Sequence, residues 1–319
     1  MDVQPFVKFR EGLVEAVSNA IVGKTKVIEL VAFDILVGGH VLFEDNPGLG
    51  KTTLAKSVAK AMGCEFRRVQ FTADLLPSDV TGTYVLDGTG SFRFLKGPVF
   101  TQVLLADEIN RSPPKTQSAL LEAMQEHQVT AENQTLPLPA PFVVFATQNP
   151  IEYEGTYPLP EAQMDRFTVR LQVGYPEQRD EITILEKKRL LQDELDAVPQ
   201  IFRPEDIISL QRALNGVFVD DDLKRYIVQV VSQTRSAPGV DVGASPRGSI
   251  QLFHMCMARA ACSGRDYITP DDVKALAVPV LAHRILLSPD SEVKGGSQSA
   301  VIQEVLKGVP VPKVGGAEG

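Results

Sequence analysis

Val41-Leu42-Phe43-Glu44-Asp45-Asn46-Pro47-Gly48-Leu49-Gly50-Lys51-Thr52 decides how this chain is read. The apolar triplet Val41-Leu42-Phe43 follows Gly38-Gly39 and has the signature of a short buried strand. The run from Thr53 to Met62 that follows the loop is helix-prone. A Gly-rich loop between a strand and a helix N-terminus is where polyphosphate is held, because backbone N–H groups and the helix dipole favour it. In such a loop Lys51 reaches the β- and γ-phosphates of ATP and the Thr52 hydroxyl binds Mg²⁺. The expected nucleotide contacts are therefore Asn46, Pro47, Gly48, Leu49, Gly50, Lys51, Thr52 and Thr53. Asp45 stands where the general pattern has glycine. Its carboxylate costs Coulomb energy beside a triphosphate, so Asp45→Gly is expected to tighten ATP binding or leave it unchanged.

Working outward, Phe66–Phe71, Gln102–Ala106 and Phe142–Thr147 are also short, apolar and followed by polar residues. Helices are expected over Phe6–Ala20, where Phe6, Phe9, Leu13 and Val17 are near helical spacing, and over Thr25–Val37. Strands alternating with helices imply a parallel sheet sandwiched by helices. Val103-Leu104-Leu105-Ala106-Asp107-Glu108 is a strand ending in two acids. Beside a phosphate loop, Asp107 would hold Mg²⁺ and Glu108 would polarise an attacking water. Two hairpins interrupt the alternation, one at Gly82–Phe94 around Asp87-Gly88-Thr89-Gly90, the other at Gln128–Leu136.

After Tyr175-Pro176 the character changes. Glu177–Asp193, Pro204–Leu214, Asp221–Thr234, Pro246–Cys262 and Pro270–Leu287 read as helices, several opening on proline after Arg, Ser or Thr. The reading is an α/β nucleotide-binding domain over residues 1–175, an all-α lid over 176–290 and a C-terminal segment over 291–319 whose last residues are expected to be mobile.

Composition excludes several classes. The 319 residues carry 32 Lys plus Arg against 40 Asp plus Glu, a net charge of −8. The deficit is spread, with 15 basic against 20 acidic residues over 1–176 and 17 against 20 over 177–319. A nucleic-acid domain usually shows a clustered positive face, and two acidic halves argue against one, though not against a small basic loop. Cys64, Cys256 and Cys262 match no zinc spacing, and an odd low count fits a reducing cytosol. The N-terminus has no signal-peptide pattern. The apolar stretch Val27–Phe43 is broken by Glu29, Asp34 and His40, so no membrane span is expected. His40, His127, His254 and His283 have no catalytic spacing and are expected to be structural or exposed. The expected location is the cytoplasm.

Five motifs carry a family resemblance. They are Phe71-Thr72-Ala73-Asp74-Leu75-Leu76-Pro77-Ser78-Asp79, Ala106-Asp107-Glu108-Ile109-Asn110-Arg111-Ser112-Pro113-Pro114-Lys115-Thr116-Gln117, Ala146-Thr147-Gln148-Asn149-Pro150, Leu159-Pro160-Glu161-Ala162-Gln163-Met164-Asp165-Arg166-Phe167 and Gly243-Ala244-Ser245-Pro246-Arg247. In this order, over residues 5–310, the chain resembles the MoxR family of AAA+ ATPases. The resemblance implies a P-loop base with a β-hairpin insert in helix 2, here about residues 82–96, and a helical lid.

The resemblance also implies roles. Asn149 matches the sensor that orients the attacking water, unless it only forms the turn before Pro150. Arg166 matches the arginine finger that completes a neighbour's site, unless it pairs with Asp165 or Glu161. Arg247 matches the second sensor on the lid, acting in its own or a neighbour's site, unless its contact is structural. Val22 and Gly23, in Ile21-Val22-Gly23, match the segment that contacts adenine, unless Gly23 only ends a helix. Phe92 and Phe94 share one face of a strand and either pack the hairpin on its own domain or point toward the ring pore.

The expected function is Mg²⁺-dependent ATP hydrolysis in a homo-oligomeric ring, expected to be a hexamer, that remodels client proteins or metalloenzyme complexes together with a von Willebrand A domain partner. The rivals are a nucleic-acid-stimulated motor, kept open by Arg93 and Lys96 near the insert, and a nucleotide-gated scaffold with little turnover.

Overall fold

The computed structural model describes residues 1–86, 88, 90–131, 134–150, 155–190 and 194–312. The chain begins with α1 (Gln4–Ser18) and α2 (Thr25–Leu36), followed by β1 (Val41–Glu44), α3 (Lys51–Ala61) and β2 (Phe66–Gln70). Next come α4 (Pro77–Thr81), the hairpin β3 (Gly82–Leu86) and β4 (Phe92–Lys96), β5 (Val103–Asp107) and α5 (Pro114–Glu126). A second hairpin, β6 (Gln128–Ala131) and β7 (Gln134–Pro137), leads to β8 (Val143–Gln148), α6 (Glu161–Met164) and β9 (Val169–Leu171).

The strands β2-β5-β8-β1-β9 form one sheet in that spatial order, all parallel. Alternate residues on its strands face opposite layers. Val41, Phe43, Val103, Leu105, Val143 and Phe145 pack with α1, α2 and α3 on one side. Leu42, Leu104, Ala106, Val144 and Ala146 pack with α4, α5 and the hairpins on the other. Phe6, Phe9, Leu13 and Val17 are all buried on one stripe of α1, as the spacing requires. Each such side chain contributes about 1.5–3 kcal/mol by leaving water. The expected strands lie within a residue of the observed ones. β9 is the exception: at three residues with Arg170 in the middle, it is too short for an apolar run to mark it.

Both hairpins form, with Tyr84 opposite Phe94 and Leu86 opposite Phe92 in the first. Asp87 and Thr89 of its turn, and 132–133 of the second, lie outside the described residues. The two phenylalanines part company. Phe94 packs on Tyr84 and Phe100, with ring centroids 5.2 and 5.8 Å away, whereas Phe92 is 75% exposed.

The remainder comprises α7 (Gln178–Leu190), α8 (Pro204–Ala213), α9 (Asp221–Gln233), β10 (Val240–Val242), α10 (Pro246–Cys262), α11 (Pro270–Leu281), β11 (Leu286–Leu287), α12 (Pro289–Val293) and α13 (Gln298–Gly308). Residue 193, the expected end of the first lid helix, lies outside the described residues, as does the expected mobile tail from 313. The helix expected over Pro270–Leu287 stops at Leu281. A 3₁₀ turn at Ala282–Arg284 follows, and β11 pairs antiparallel with β10. Pro279 weakens the last turn of α11 locally, and a tertiary contact fixes the break. Arg284 is turned inward, where its guanidinium donates to Asp165 Oδ1 at 2.8 Å and to the carbonyls of Phe167, Thr168 and Val280. Leu223, Leu252, Leu276 and, on α13, Ile302 belong to the same apolar cluster as the α1–α3 face of the sheet.

Two of the four histidines are buried and hydrogen-bonded. Val144 N–H donates to His40 Nδ1 at 3.0 Å and His40 Nε2 pairs with Met124 O at 3.1 Å, and burial pushes the imidazole down to about 4. His283 pairs with Phe167 O at 3.0 Å and is held well below its ordinary value by burial and by Arg284. All three cysteines are buried, free thiols. Among the described residues no helix is long and apolar enough to cross a membrane.

Candidate active site

A cleft of about 640 Å³ opens at the C-terminal ends of β1, β5 and β8, where a parallel sheet presents its loops. Residues 45–50 cross its floor from β1 to α3. Gly50 has φ +83°, a left-handed conformation that glycine adopts at no steric cost, and it turns the loop into the helix. No side chain caps the first turn of α3, so its N–H groups face the cleft mouth ready for oxyanions. Lys51 Nζ donates to Asp45 O at 2.6 Å and Asn46 O at 3.1 Å. Burial lowers the Lys51 pKa, and the charges of Asp45, Asp107 and Glu108 oppose that shift.

The acids come from β5. Asp107 Oδ1 accepts from the Thr147 hydroxyl at 2.6 Å, and Oδ2 accepts from Arg68 Nη2 at 2.7 Å. Glu108 has φ +56°, uncommon for a residue with a side chain, and its N–H donates to Thr147 Oγ1 at 2.8 Å. Strain of this kind costs about 1–3 kcal/mol and persists where surrounding bonds hold it. The Glu108 carboxylate accepts from Gln70 Nε2 at 2.6 Å and lies 3.3 Å from Arg111 Nε.

The cleft brings together Val22, Pro47, Gly48, Leu49, Gly50, Lys51, Thr52, Thr53, Asp107, Glu108 and Asn149 from four separated stretches of chain. Two expected residues lie beside it. Asn46 turns its amide to the Tyr175 hydroxyl at 3.2 Å. Gly23 packs against α7; it has φ +75°, and a Cβ there would lie 2.0 Å from Asp180 Oδ2. The cleft also takes Arg68, Gln70, Lys24 and Lys188, which the sequence did not single out. The available signal for Arg68 and Gln70 was period 2 on β2, with Gln70 opposite Asp107.

Arg166 and Arg247 do not line this cleft. They meet in a second hollow of about 150 Å³ with His40, His127, Thr168 and Gln251. The Ser245 hydroxyl donates to Asp165 Oδ2 at 2.9 Å and accepts from Arg247 N–H at 3.1 Å, which ties the segment bearing one arginine to the helix bearing the other.

The cleft fits a nucleotide with a divalent ion. Uncapped helix N–H groups and an ammonium suit phosphates, a hydroxyl and a carboxylate suit the ion, and Ile21, Val22 and Ile184 supply an apolar wall for a base. Among the described residues no three His, Cys, Asp or Glu side chains gather as a metal cage, so Thr52 and Asp107 could hold Mg²⁺ only together with phosphate oxygens and water.

Residues 40–169 match the model of the ATPase family associated with various cellular activities (AAA), and residues 232–305 match the AAA lid domain. The chain is 46% identical over 300 residues to the uncharacterized protein YeaC of Bacillus subtilis, covering 94% of this chain and 93% of that protein. It is 41% identical over 308 residues to chaperone MoxR1 of Mycobacterium tuberculosis, covering 93% and 81% respectively. A crystal structure of a Cytophaga hutchinsonii protein assigned as an ATPase superposes with a TM-score of 0.89 at 38% identity, covering 97% of this chain and 98% of that one.

Proposed function

This chain belongs to the MoxR family of AAA+ ATPases, and on that premise we propose how its residues divide the work. It is a nucleotide-binding ATPase of a family with chaperone-named members. In our reading the loop from Asn46 to Thr53 holds the phosphates, with Lys51 neutralising charge between the β and γ groups. Val22 and the wall beside Gly23 receive the base. Thr52 and Asp107 hold Mg²⁺, which when bound supplies charge neutralisation on the β- and γ-oxygens.

Glu108 takes the proton of the attacking water and Asn149 orients that water. Gln70, 2.6 Å from Glu108, fixes where the carboxylate waits. Thr147 joins the two acids, since it bonds both Asp107 and the Glu108 amide. Charge that develops on the transferring phosphoryl group needs a further cation, a contribution worth about 10³–10⁵ in turnover. Arg166 and Arg247 share the second hollow, outside the cleft of their own chain. Both therefore act on a neighbouring subunit's nucleotide in a homo-oligomeric ring. ATP turnover in that ring would drive a chaperone-like remodelling of partner proteins or metalloenzyme complexes through a von Willebrand A domain partner, in the cytoplasm. Residues 1–175 would serve as the base, 176–290 as the lid.

The observation that carries this reading is the convergence of Lys51, Thr52, Asp107, Glu108 and Asn149 on one cleft. Glu108→Gln is the test. Steady-state phosphate release should fall about 10²–10⁴-fold, as expected for loss of a general base, while ATP binding persists. Normal turnover in that variant would remove Glu108 from the mechanism.

A further inference from the structure

Asp45 is the loop residue that the phosphate-binding reading leaves without a task. It directly follows β1, is 8% exposed, lines the cleft beside Lys51, and has both carboxylate oxygens engaged by backbone N–H groups. Oδ2 accepts from Val173 N–H, and Oδ1 accepts from Gly174 N–H at 3.3 Å. These amides lie just past the end of β9 at Leu171 and just before α7, which begins at Gln178. The same residue accepts from Lys51 Nζ through its own carbonyl. Asp45 thus touches both the phosphate-binding lysine and the exit from the base.

We propose that Asp45 is a positioning residue for ATP hydrolysis: its carboxylate binds the phosphate loop to the 173–174 exit, so that loop and α7 hold one relative placement during turnover. Three further observations support it. Gly174 has φ +67°, a kinked backbone whose N–H is directed at the carboxylate rather than into a strand. The next residue, Tyr175, is held on both sides, its hydroxyl by Asn46 Nδ2 at 3.2 Å and its carbonyl by Lys24 Nζ at 2.9 Å. Gly174, Pro176, Ile184 and Lys188 line the same cleft as Lys51, so the exit and α7 form a wall of the nucleotide site.

Amide bonds to an ionised carboxylate are among the stronger hydrogen bonds, and a buried pair of amides left without an acceptor is costly. Removing the carboxylate has opposite consequences for two observables. It relieves repulsion of the triphosphate, which favours binding. It also frees the wall against which the reacting phosphate is aligned, and a misplacement of about 1 Å can cost about 10²-fold in rate. A bond that only stabilised the fold would lower the melting temperature and leave turnover per folded molecule unchanged.

The inference rests on the assignment of the Lys51 loop to the nucleotide, so the experiment separates the two. Full-length Asp45→Gly, Asp45→Asn and Lys51→Ala proteins are compared for ATP binding by calorimetry and for steady-state kcat and KM. Asp45→Gly is expected to bind ATP at least as tightly as the native protein, with kcat lowered about 10–100-fold and KM little changed. Asp45→Asn, which keeps one carbonyl acceptor, should fall between them. A kcat for Asp45→Gly within about twofold of native, or loss of its ATP binding, overturns the proposal. If Asp45→Gly does not fold, a native kcat in Asp45→Asn overturns it equally. Undiminished ATP binding by Lys51→Ala would instead overturn the nucleotide-site assignment itself.

Discussion

Asp34 is a carboxyl group that the base buries at a cost. It lies on α2, fully buried, and among the described residues neither carboxylate oxygen completes a hydrogen bond of good geometry. Burial pushes its pKa up to about 8, against the opposing influence of the Thr168 hydroxyl and the Arg284 charge. The folded chain therefore holds a proton here that the unfolded chain releases near pH 4. Stability from this group is full below about pH 4 and is lost as pH rises toward about 8, at no more than about 1.4 kcal/mol per pH unit. Asp34→Asn should remove that slope, so its advantage over the native protein grows between pH 5.5 and 8.5. Denaturant unfolding at both pH values checks this, and an equal offset at both would contradict it. At this scale the cleft residues were legible, because Lys51, Thr52, Asp107 and Glu108 stand at the spacing that phosphate chemistry asks for, and the structure gathers them in one cleft. Arg68 and Gln70 were not, since a strand's polar face reads as ordinary surface until its register against Asp107 is known.

At the scale of elements, α10 shows what a cap can do beyond ending a helix. Ser245 is its N-cap, and its hydroxyl also holds Asp165, the neighbour of Arg166. Ser245→Ala should cost about 2 kcal/mol, from the cap and from a bond to a charged group. It should also lower ATPase activity without weakening ATP binding, because the Arg166 segment loses its tie to Arg247. Ser288, the N-cap of α12, is the comparison: Ser288→Ala should lose stability alone, about 1 kcal/mol. Equal activity in the two variants would separate Ser245 from catalysis. Element starts were easily read, since proline in the first turn of α8, α10 and α11 is a local signal. The end of α11 was not. Pro279 weakens its last turn locally, and the inward Arg284 with its distant acceptors at Asp165 and Phe167 sets the turn that follows Leu281.

At the scale of the whole molecule, Lys51 and the two arginines occupy separate hollows. If the arginines serve a neighbour, Arg166→Ala and Lys51→Ala subunits should each be inactive alone yet complement when mixed. Random placement in a ring of like interfaces joins an intact Lys51 to an intact Arg166 at about a quarter of the sites. Phosphate release measured across mixing ratios reads this directly, and no recovery at any ratio would contradict action in trans. The apolar cluster beneath is continuous from α1 to α13, so base and helical region share one core while the cleft lies at their junction.

The sequence alone determined the parallel α/β base, the helical region after residue 176 and which loop and acid residues gather at the cleft. These follow from local periodicity, from proline and glycine punctuation, and from chemistry that tolerates few residue types. The tertiary structure decided three things. It turned Asp45 from an oddity in a loop into the acceptor of the 173–174 amides. It set Arg68 and Gln70 beside the acids. It placed Arg166 with Arg247 instead of with Lys51. Each brings together residues 38 or more positions apart, and such pairings depend on how packed layers meet rather than on any pattern along the chain.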